Sequence, residues 1–204
     1  GVIEGDKAGG IIGVSNSGGA IVSQSANTGK ITGVQSAGGI IGGTAAAGDS
    51  IDNCYNGGDI TATGSGETVI AAGIYGYNNS SSPIKACMND GKITAPDGKT
   101  FPIGKSTFWY APAPGSQIAS CYYMDETGKI YAVVADGEKP SVEQPDMTRT
   151  ELAETLNAAG GVNDFWQAQN GSVQLDPLIP GALEDAKTVM KSKVIQVLKQ
   201  LRKQ

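Results

Sequence analysis

Residues 27–55 read NTGKITGVQSAGGIIGGTAAAGDSIDNCY, and much of this stretch is repeated along the chain. Three short signatures recur in a fixed order: N-x-G-x-I-T, then A-G/A-G-I-x-G, then I-x-x-C. The glycine of the first recurs at positions 29, 58, 91 and 128, and the cysteine of the third at 54, 87 and 121. A period in the tens of residues indicates a stacked array of similar units.

The repeats divide the first two thirds of the chain into coils. The units are residues 2–26, 27–55, 56–88 and 89–123, and a fifth unit opens at 125–131. The first is partial, and the fourth departs from the pattern at Phe101-Pro102-Ile103-Gly104. An insertion at 105–116 follows this departure.

Each coil contains β-branched residues flanked by Gly, Asn and Ser, a pattern that predicts about three short strands. An antiparallel sandwich is the alternative, but it needs hairpin spacing between pairing partners, whereas the self-similarity recurs only once per coil. Like residues stacked on one another are typical of a solenoid. We therefore predict a mainly β fold, a right-handed parallel β-solenoid (β-helix) of about four coils.

Stacking in register predicts three columns of like residues. The first is a buried isoleucine ladder of Ile31, Ile60, Ile93 and Ile130. The second holds the three cysteines as buried thiols, since in-register Cβ atoms point the same way and suit a disulfide poorly. The third holds Asn27, Asn56 and Asn89, either as an amide ladder or as a column that binds a ligand.

After residue 134 the composition changes to a polar, proline-bearing linker. Thr148 and Glu151 then form a capping-box pattern, which predicts a helix that runs to Gly160-Gly161. Phe165 to Leu175 predicts a hairpin, because Asn-Gly suits its turn. We expect this helix and hairpin to cover the open end of the solenoid.

The chain therefore divides into a β-solenoid at 1–134, a linker with a small α/β cap at 135–180, and an amphipathic C-terminal helix at 181–204. The apolar positions of 181–204 follow helical spacing. We expect that helix to pack on the solenoid or lead to another domain. A coiled-coil segment and a membrane-surface helix are the alternatives.

Composition excludes several classes of protein. The net charge is −5, whereas nucleic-acid binders usually present a basic face, so no nucleic-acid partner is expected. No apolar run reaches the roughly 18 residues of a membrane span. The N-terminus lacks a signal-peptide pattern and lies inside a repeat, from which we expect a piece of a longer chain with neighbouring domains.

The pattern A-G-G-I-I-G followed by I-x-x-C-Y-N-x-G-x-I-T resembles the GLUG-type repeats of bacterial cell-surface and secreted proteins. Such repeats occur in immunoglobulin-A-protease-like passengers and in large bacterial wall proteins. The resemblance covers residues 8 to about 131 and implies an extracellular or cell-surface stalk or adhesive array. It assigns no catalytic residues.

The residues give no catalytic constellation either. The chain has 0 histidines, which excludes a Ser-His-Asp triad and most open zinc sites within it. No phosphate loop, dinucleotide motif or CxxC pair is present, so we expect no cofactor and no metal site. Asp97-Gly98 and Asp136-Gly137 are at most weak calcium loops.

Parallel β-helices also include polysaccharide lyases and hydrolases, so a carbohydrate-processing enzyme or its accessory domain is the alternative function. Glycoside hydrolysis needs two carboxylates about 5–9 Å apart. The column before the I-T strand holds Lys30, Asp59, Lys92 and Lys129, which supplies no such pair. We therefore expect no enzyme activity.

One aromatic group is a candidate ligand-binding surface: Phe108, Trp109, Tyr110, Tyr122 and Tyr123. Aromatic faces stack on sugar rings, although the same residues can instead pack the insertion onto the solenoid. We predict a non-catalytic stalk or adhesion module that binds a host or cell-surface glycan or protein through the 105–116 insertion.

Overall fold

The computed structural model describes residues 1–17, 19–44, 48–66, 68–77, 82–96, 99–104, 118–133, 141–163, 165–169 and 171–175. Several predictions lie outside these residues: the insertion with Phe108, Trp109 and Tyr110, the helix at 181–204, and the turns Asp97-Gly98 and Asp136-Gly137.

The first two coils hold four strands each. Coil one contains β1 (Val2–Gly9), β2 (Ile12–Ser15), β3 (Ile21–Ser23) and β4 (Ala26–Asn27). Coil two contains β5 (Lys30–Gly38), β6 (Ile41–Thr44), β7 (Ser50–Asp52) and β8 (Tyr55–Asn56).

In the next two coils the first strand is split in two. Coil three contains β9 (Ile60–Ala62), β10 (Ile70–Ala72), β11 (Tyr75–Tyr77), β12 (Ile84–Lys85) and β13 (Met88–Asn89). Coil four contains β14 (Ile93–Thr94), β15 (Thr100–Phe101), β16 (Ile118–Ala119) and β17 (Tyr122–Met124).

These strands stack into four parallel sheets, which confirms the predicted parallel β-solenoid. Sheet A stacks β1, β5, β9 with β10, and β14 with β15, and sheet B stacks β2, β6 and β11. Sheet C stacks β3, β7, β12 and β16, and sheet D stacks β4, β8, β13 and β17. The registers place Ile31 on Ile60 on Ile93, and Val22 on Ile51 on Ile84.

The prediction of about three strands per coil is wrong. Each I-x-x-C segment, and its counterpart in coil one, turns a corner between a sheet C strand and a sheet D strand, and the sheet D strand had no signal in the sequence. The corner residue precedes the cysteine, or Ser25 in coil one, and has a left-handed backbone; these residues are Gln24, Asn53, Ala86 and Ser120, with φ of 48, 49, 50 and 52°. None is a glycine, so the corner left no glycine signal for a turn.

The predicted fifth coil is also wrong, and with it the place of Ile130 in the isoleucine ladder. After Met124 the chain reverses, and β18 (Ile130–Ala132) pairs antiparallel with β17, which puts Ile130 opposite Met124 in sheet D. The turn is closed by hydrogen bonds from the Asp125 amide to the Lys129 carbonyl and from the Gly128 amide to the Asp125 carbonyl. β19 (Val142–Glu143) then extends the sheet.

The cysteine column is confirmed. Cys54, Cys87 and Cys121 are buried and free. They lie in one core with isoleucines of sheet C and with Ile40, Ile74 and Ile103. Buried in this core, the three thiols serve as apolar filling, and burial raises the pKa of the Cys87 thiol well above its ordinary value, so Cys87 is not a nucleophile.

The asparagine ladder is confirmed as well. The Asn27 Nδ2 donates to Asn56 Oδ1 at 2.8 Å, and the Asn56 Nδ2 donates to Asn89 Oδ1 at 2.7 Å. Each Nδ2 also donates to the carbonyl two residues on, at Gly29, Gly58 and Gly91. The three amides are buried and bonded to one another, so they stabilise the stack and leave little for a ligand.

A glycine column packs directly against these amides. A Cβ on Gly39 would lie 2.5 Å from Asn56 Cγ, and a Cβ on Gly10 would lie 2.8 Å from Asn27 Cγ. A Cβ on Gly73 would overlap both the Asn89 side chain and the Pro102 carbonyl oxygen. The second glycine of the A-G-G signature is therefore required by close approach, not by backbone conformation.

The helix and hairpin form as predicted. α1 (Arg149–Gly160) has Thr148 as N-cap with the complete capping box to Glu151, and it ends at left-handed Gly161. β20 (Trp166–Gln169) and β21 (Ser172–Leu175) form the antiparallel hairpin.

The position of this cap differs from the prediction. Leu152, Leu156, Trp166, Val173 and Leu175 share a core with Tyr55, Met88 and Met124, one residue from each of coils two to four. The cap therefore packs along the outer side of sheet D rather than over the end of the solenoid. Side chains alternate between the two faces of a strand. Tyr55 and Met88, which neighbour the inward-facing cysteines and asparagines, therefore lie in an apolar stripe on the outer face of sheet D.

The glycine column yields a stability prediction. Gly73→Ala should lower the free energy of unfolding by about 1–3 kcal/mol, because the added methyl group overpacks the contact with Asn89 and Pro102. Gly5→Ala is the matched control, since the nearest atom to its Cβ would be the Lys7 oxygen at 3.8 Å. Urea unfolding measures both, and equal midpoints for the two variants would contradict the close packing.

Candidate binding site beside the last coil

A groove of about 650 Å³ lies beside the fourth coil, where the asparagine and glycine columns stop. In register, Tyr123 takes the place above Asn89. Pro102 takes the place after Gly73, whose Cβ would meet the Pro102 carbonyl oxygen. Both partners of the amide–glycine contact are thus replaced in coil four, and Tyr123 and Pro102 line the groove together with Asn89.

The groove is predominantly acidic. Its lining includes the carboxylates of Asp59, Asp90, Asp125 and Glu126, and Lys92 is its basic residue. The Lys92 Nζ forms an ion pair of 2.7 Å with Glu126 Oε1, and both side chains are mostly exposed. Solvent screening makes such a pair weak, so it remains available to a ligand.

Asp125 is fixed by its own turn. Its Oδ1 accepts from the Thr127 amide at 2.9 Å, the Thr127 hydroxyl at 2.7 Å and the Lys129 amide at 2.9 Å, and its Oδ2 accepts from the Tyr131 hydroxyl at 3.3 Å. The Thr127 hydroxyl bond and then the Lys129 backbone bond lower the pKa of Asp125. This carboxylate therefore stays ionised and shapes the rim of the groove.

Asp90 is in the opposite environment. It is half-buried between the solenoid and the hairpin, where the Ser172 hydroxyl donates to its Oδ2. Burial raises the pKa of Asp90, against the opposing effects of the Ser172 hydrogen bond and the Arg149 charge. Burial first, and then the Asp90 charge, raises the pKa of the adjacent Tyr55 to about 12.

Arg149 links the cap to the groove. Its Nε donates to the Gly171 carbonyl at 2.6 Å, and its Nη2 donates to the Gly128 carbonyl at 3.0 Å. One guanidinium thus joins the hairpin turn to the turn that holds Asp125. The cap and the groove rim are held together by polar contacts as well as by the apolar core.

The two described aromatic candidates do not share a surface. Tyr122 packs against the core under the cap, whereas Tyr123 lines the groove and packs against the solenoid interior. Tyr123 also stacks on Tyr131, with ring centroids 4.8 Å apart and planes 10° apart. Neighbouring residues of a strand point to opposite faces, which separates the two. Of Tyr122 and Tyr123, only Tyr123 lies at the candidate site, and Tyr131 covers one face of its ring.

Sequence reasoning missed Asp90 and Asp125. A pair of carboxylates was expected only in the column before the I-T strand, whereas the groove takes its carboxylates from the turns that follow Asn89 and Met124. The Asn-Asp-Gly and Asp-Glu-Thr-Gly turns were visible in the sequence, but the position of the predicted hairpin over Asp90 was not. In the part of the chain that the structure describes, no three His, Cys, Asp or Glu residues are grouped so as to hold a metal ion. Nor is any described helix long and apolar enough to cross a membrane.

Comparison with known proteins gives one informative match. No family model and no curated protein matches the chain. Among solved structures it is similar to a putative immunoglobulin A1 protease from Bacteroides ovatus, with a TM-score of 0.56 and 22% identity. The match covers 86% of this chain and 55% of the other, so the chain spans about half the length of that protein. At this identity the likeness concerns the fold.

The two aspartates predict opposite pH effects. The fold favours protonated Asp90, so its contribution to stability is present at acid pH and is lost as the pH rises through its raised pKa. Asp90→Asn should therefore become more stable relative to the parent protein as the pH rises from about 3 to 7. Urea midpoints at several pH values measure this difference.

Asp125→Asn is the matched control with the opposite sign. Its lowered pKa means that the ionised form stabilises the turn, so the variant should lose stability at neutral pH and approach the parent as the pH falls. Changes of the same sign in both variants would show that the two environments are not opposed.

Proposed function

We propose that this chain is a non-catalytic repeat module of GLUG type that acts as a stalk or adhesive segment of a bacterial surface or secreted protein. The observation that carries the proposal is the use of the repeated polar residues. Asn27, Asn56 and Asn89 are buried and bonded to one another, so the repeat supplies cohesion between coils rather than reactive groups.

Binding is proposed where the repeat is broken. The 105–116 insertion joins Gly104 to Ile118 within coil four, whose Pro102 and Tyr123 line the groove. Carboxylates and an aromatic edge are suited to sugar hydroxyls and ring faces. We propose a host or cell-surface glycan, or a glycoprotein, as the partner, with Trp109 and Tyr110 completing the contact. Loops that depart from a rigid scaffold are common binding sites.

An extracellular location belongs to the same proposal. It is supported by the GLUG-like repeat pattern and by the fold shared with a putative immunoglobulin A1 protease. That name also makes immunoglobulin A1, a glycoprotein, a suitable probe.

A carbohydrate-processing enzyme is the second candidate, and one observation favours it. Asp90 and Asp125 line the same groove with pKa values shifted up and down, as a general acid and its partner carboxylate require. Against it, the Asp125 oxygens accept four bonds within their own turn, and Asp90 is bonded to Ser172. Both carboxylates have structural roles, so we rank binding first.

The test compares binding and turnover in one set of variants. We expect the parent protein to bind a subset of a glycan array or immunoglobulin A1, and Trp109→Ala to lower that binding at least about tenfold, the scale of an aromatic contact. Val34→Ala, an exposed change in coil two, is the control and should bind like the parent.

The same samples are assayed for reducing ends and for cleaved immunoglobulin A1, and we expect neither. Equal binding by Trp109→Ala and the parent protein would contradict a binding role for Trp109 and would favour the alternative, in which the aromatic residues pack the insertion onto the solenoid. Turnover that is lost in Asp90→Asn or Asp125→Asn would replace this proposal with the enzyme.

A further inference from the structure

The two ends of the solenoid interior differ in exposure. One interior column runs from Ile11 through Ile40 and Ile74 to Ile103, linked by backbone hydrogen bonds from each amide to the next carbonyl. Ile40, Ile74 and Ile103 are 0% exposed, but Ile11 is 49% exposed. Ile3, which heads the Ile31 and Ile60 column, is 40% exposed, whereas Ile31 and Ile60 are 0%.

The opposite end is closed in three of the core columns, whereas Ile93, which ends the column of Ile3, Ile31 and Ile60, is partly buried. Ile103, Ile118 and Cys121, the last members of their columns, are 0%, 2% and 1% exposed. The exposed apolar surface is thus concentrated on coil one. Of seven large hydrophobic residues counted as exposed among those described, five lie there: Val2, Ile3, Ile11, Val14 and Ile21.

The backbone of coil one is open on the same side. In the described chain β1, β2, β3 and β4 each pair on one side only, with the matching strand of coil two. Four unpaired strand edges around an apolar centre are a template for further strands, and neither a small ligand nor a lipid surface would satisfy them.

The asparagine ladder has a matching position at this end. Asn56 Oδ1 and Asn89 Oδ1 each accept from the asparagine of the preceding coil, whereas Asn27 Oδ1 accepts from the Gly29 amide at 3.0 Å and has no asparagine above it in the described chain. A coil stacked on coil one would place its own amide there. The same coil would cover Ile3 and Ile11.

We infer that the open face of coil one is a docking surface for one further β-solenoid coil of the same repeat, stacked in parallel register. The contact between coils already occurs three times in this chain, and coil one presents the same surface without its partner. This inference rests on the fold and does not depend on the adhesive role.

A second copy of this chain does not fit the surface as well. Its last coil carries Tyr123 where the ladder needs an asparagine, and Ile103, Ile118 and Cys121 at its column ends are already buried. Head-to-tail stacking of copies is therefore disfavoured. A face-to-face dimer through coil one is the competing occupant, and the experiment distinguishes it.

The experiment adds one further coil to the whole chain. A copy of residues 29–57 is fused in front of Gly1, so that the copied Asn56 stands two residues before Gly1, as in the N-x-G signature. The matched control carries serine in place of the copied Ile31, Ile40 and Asn56. We expect the intact coil to raise the melting temperature by about 5 °C or more, because it buries Ile3 and Ile11 and pairs the edges of coil one, and the control to leave it unchanged.

Two results would overturn the inference. One is an unchanged melting temperature with the intact added coil, which would show that coil one is not built to receive a neighbour. The other is a concentration-dependent dimer of the parent in sedimentation equilibrium that Ile11→Lys abolishes, which would make a second copy the occupant. A monomeric parent with a stabilising added coil supports the inference.

Discussion

The contact between the asparagine column and the glycine column is the constraint on which the solenoid depends. The Asn27 and Asn56 amides each donate to the amide of the next coil and to a carbonyl of their own turn. Asn56 and Asn89 also lie where a Cβ on Gly39 or Gly73 would be, so each asparagine side chain packs directly against the backbone of a glycine. A buried amide without hydrogen-bond partners lowers the stability of the fold by about 1–3 kcal/mol. The ladder therefore stabilises the protein only when its amides are bonded to one another. This explains why both residues recur at every regular turn.

The candidate binding surfaces lie where that contact ends. In coil four Tyr123 and Pro102 occupy the two positions, and a groove opens beside them. In coil one, within the residues that the structure describes, the ladder has no further amide above Asn27, and interior isoleucines become exposed. The regular coils between these ends use their polar groups internally. The cap adds a further contact between coils, since it packs on three of them along sheet D through Tyr55, Met88 and Met124.

Identical residues and local chemistry were predictable from the sequence, and long-range geometry was not. The Asn27, Asn56 and Asn89 ladder follows from repetition, and the helix start follows from Thr148 and Glu151, which interact within one turn. The corner at Ala86 was missed because its left-handed backbone is imposed by the stack, not by the residue. Ile130 was misplaced because a repeat signature continued after the chain had reversed. The burial of Asp90 depends on a hairpin 82 residues away.

The most direct measurement is hydrogen exchange of the asparagine side-chain amides by NMR. We expect the Nδ2 protons of Asn56, which are buried between two other amides, to exchange only when the protein unfolds. Those of Asn27 should be less protected, because Asn27 lies at the open end. Through-bond couplings from each Nδ2 to the next Oδ1-bearing group would identify the ladder directly. Exchange of the Asn56 amide at the rate of a solvent-exposed asparagine would contradict the central role of this column.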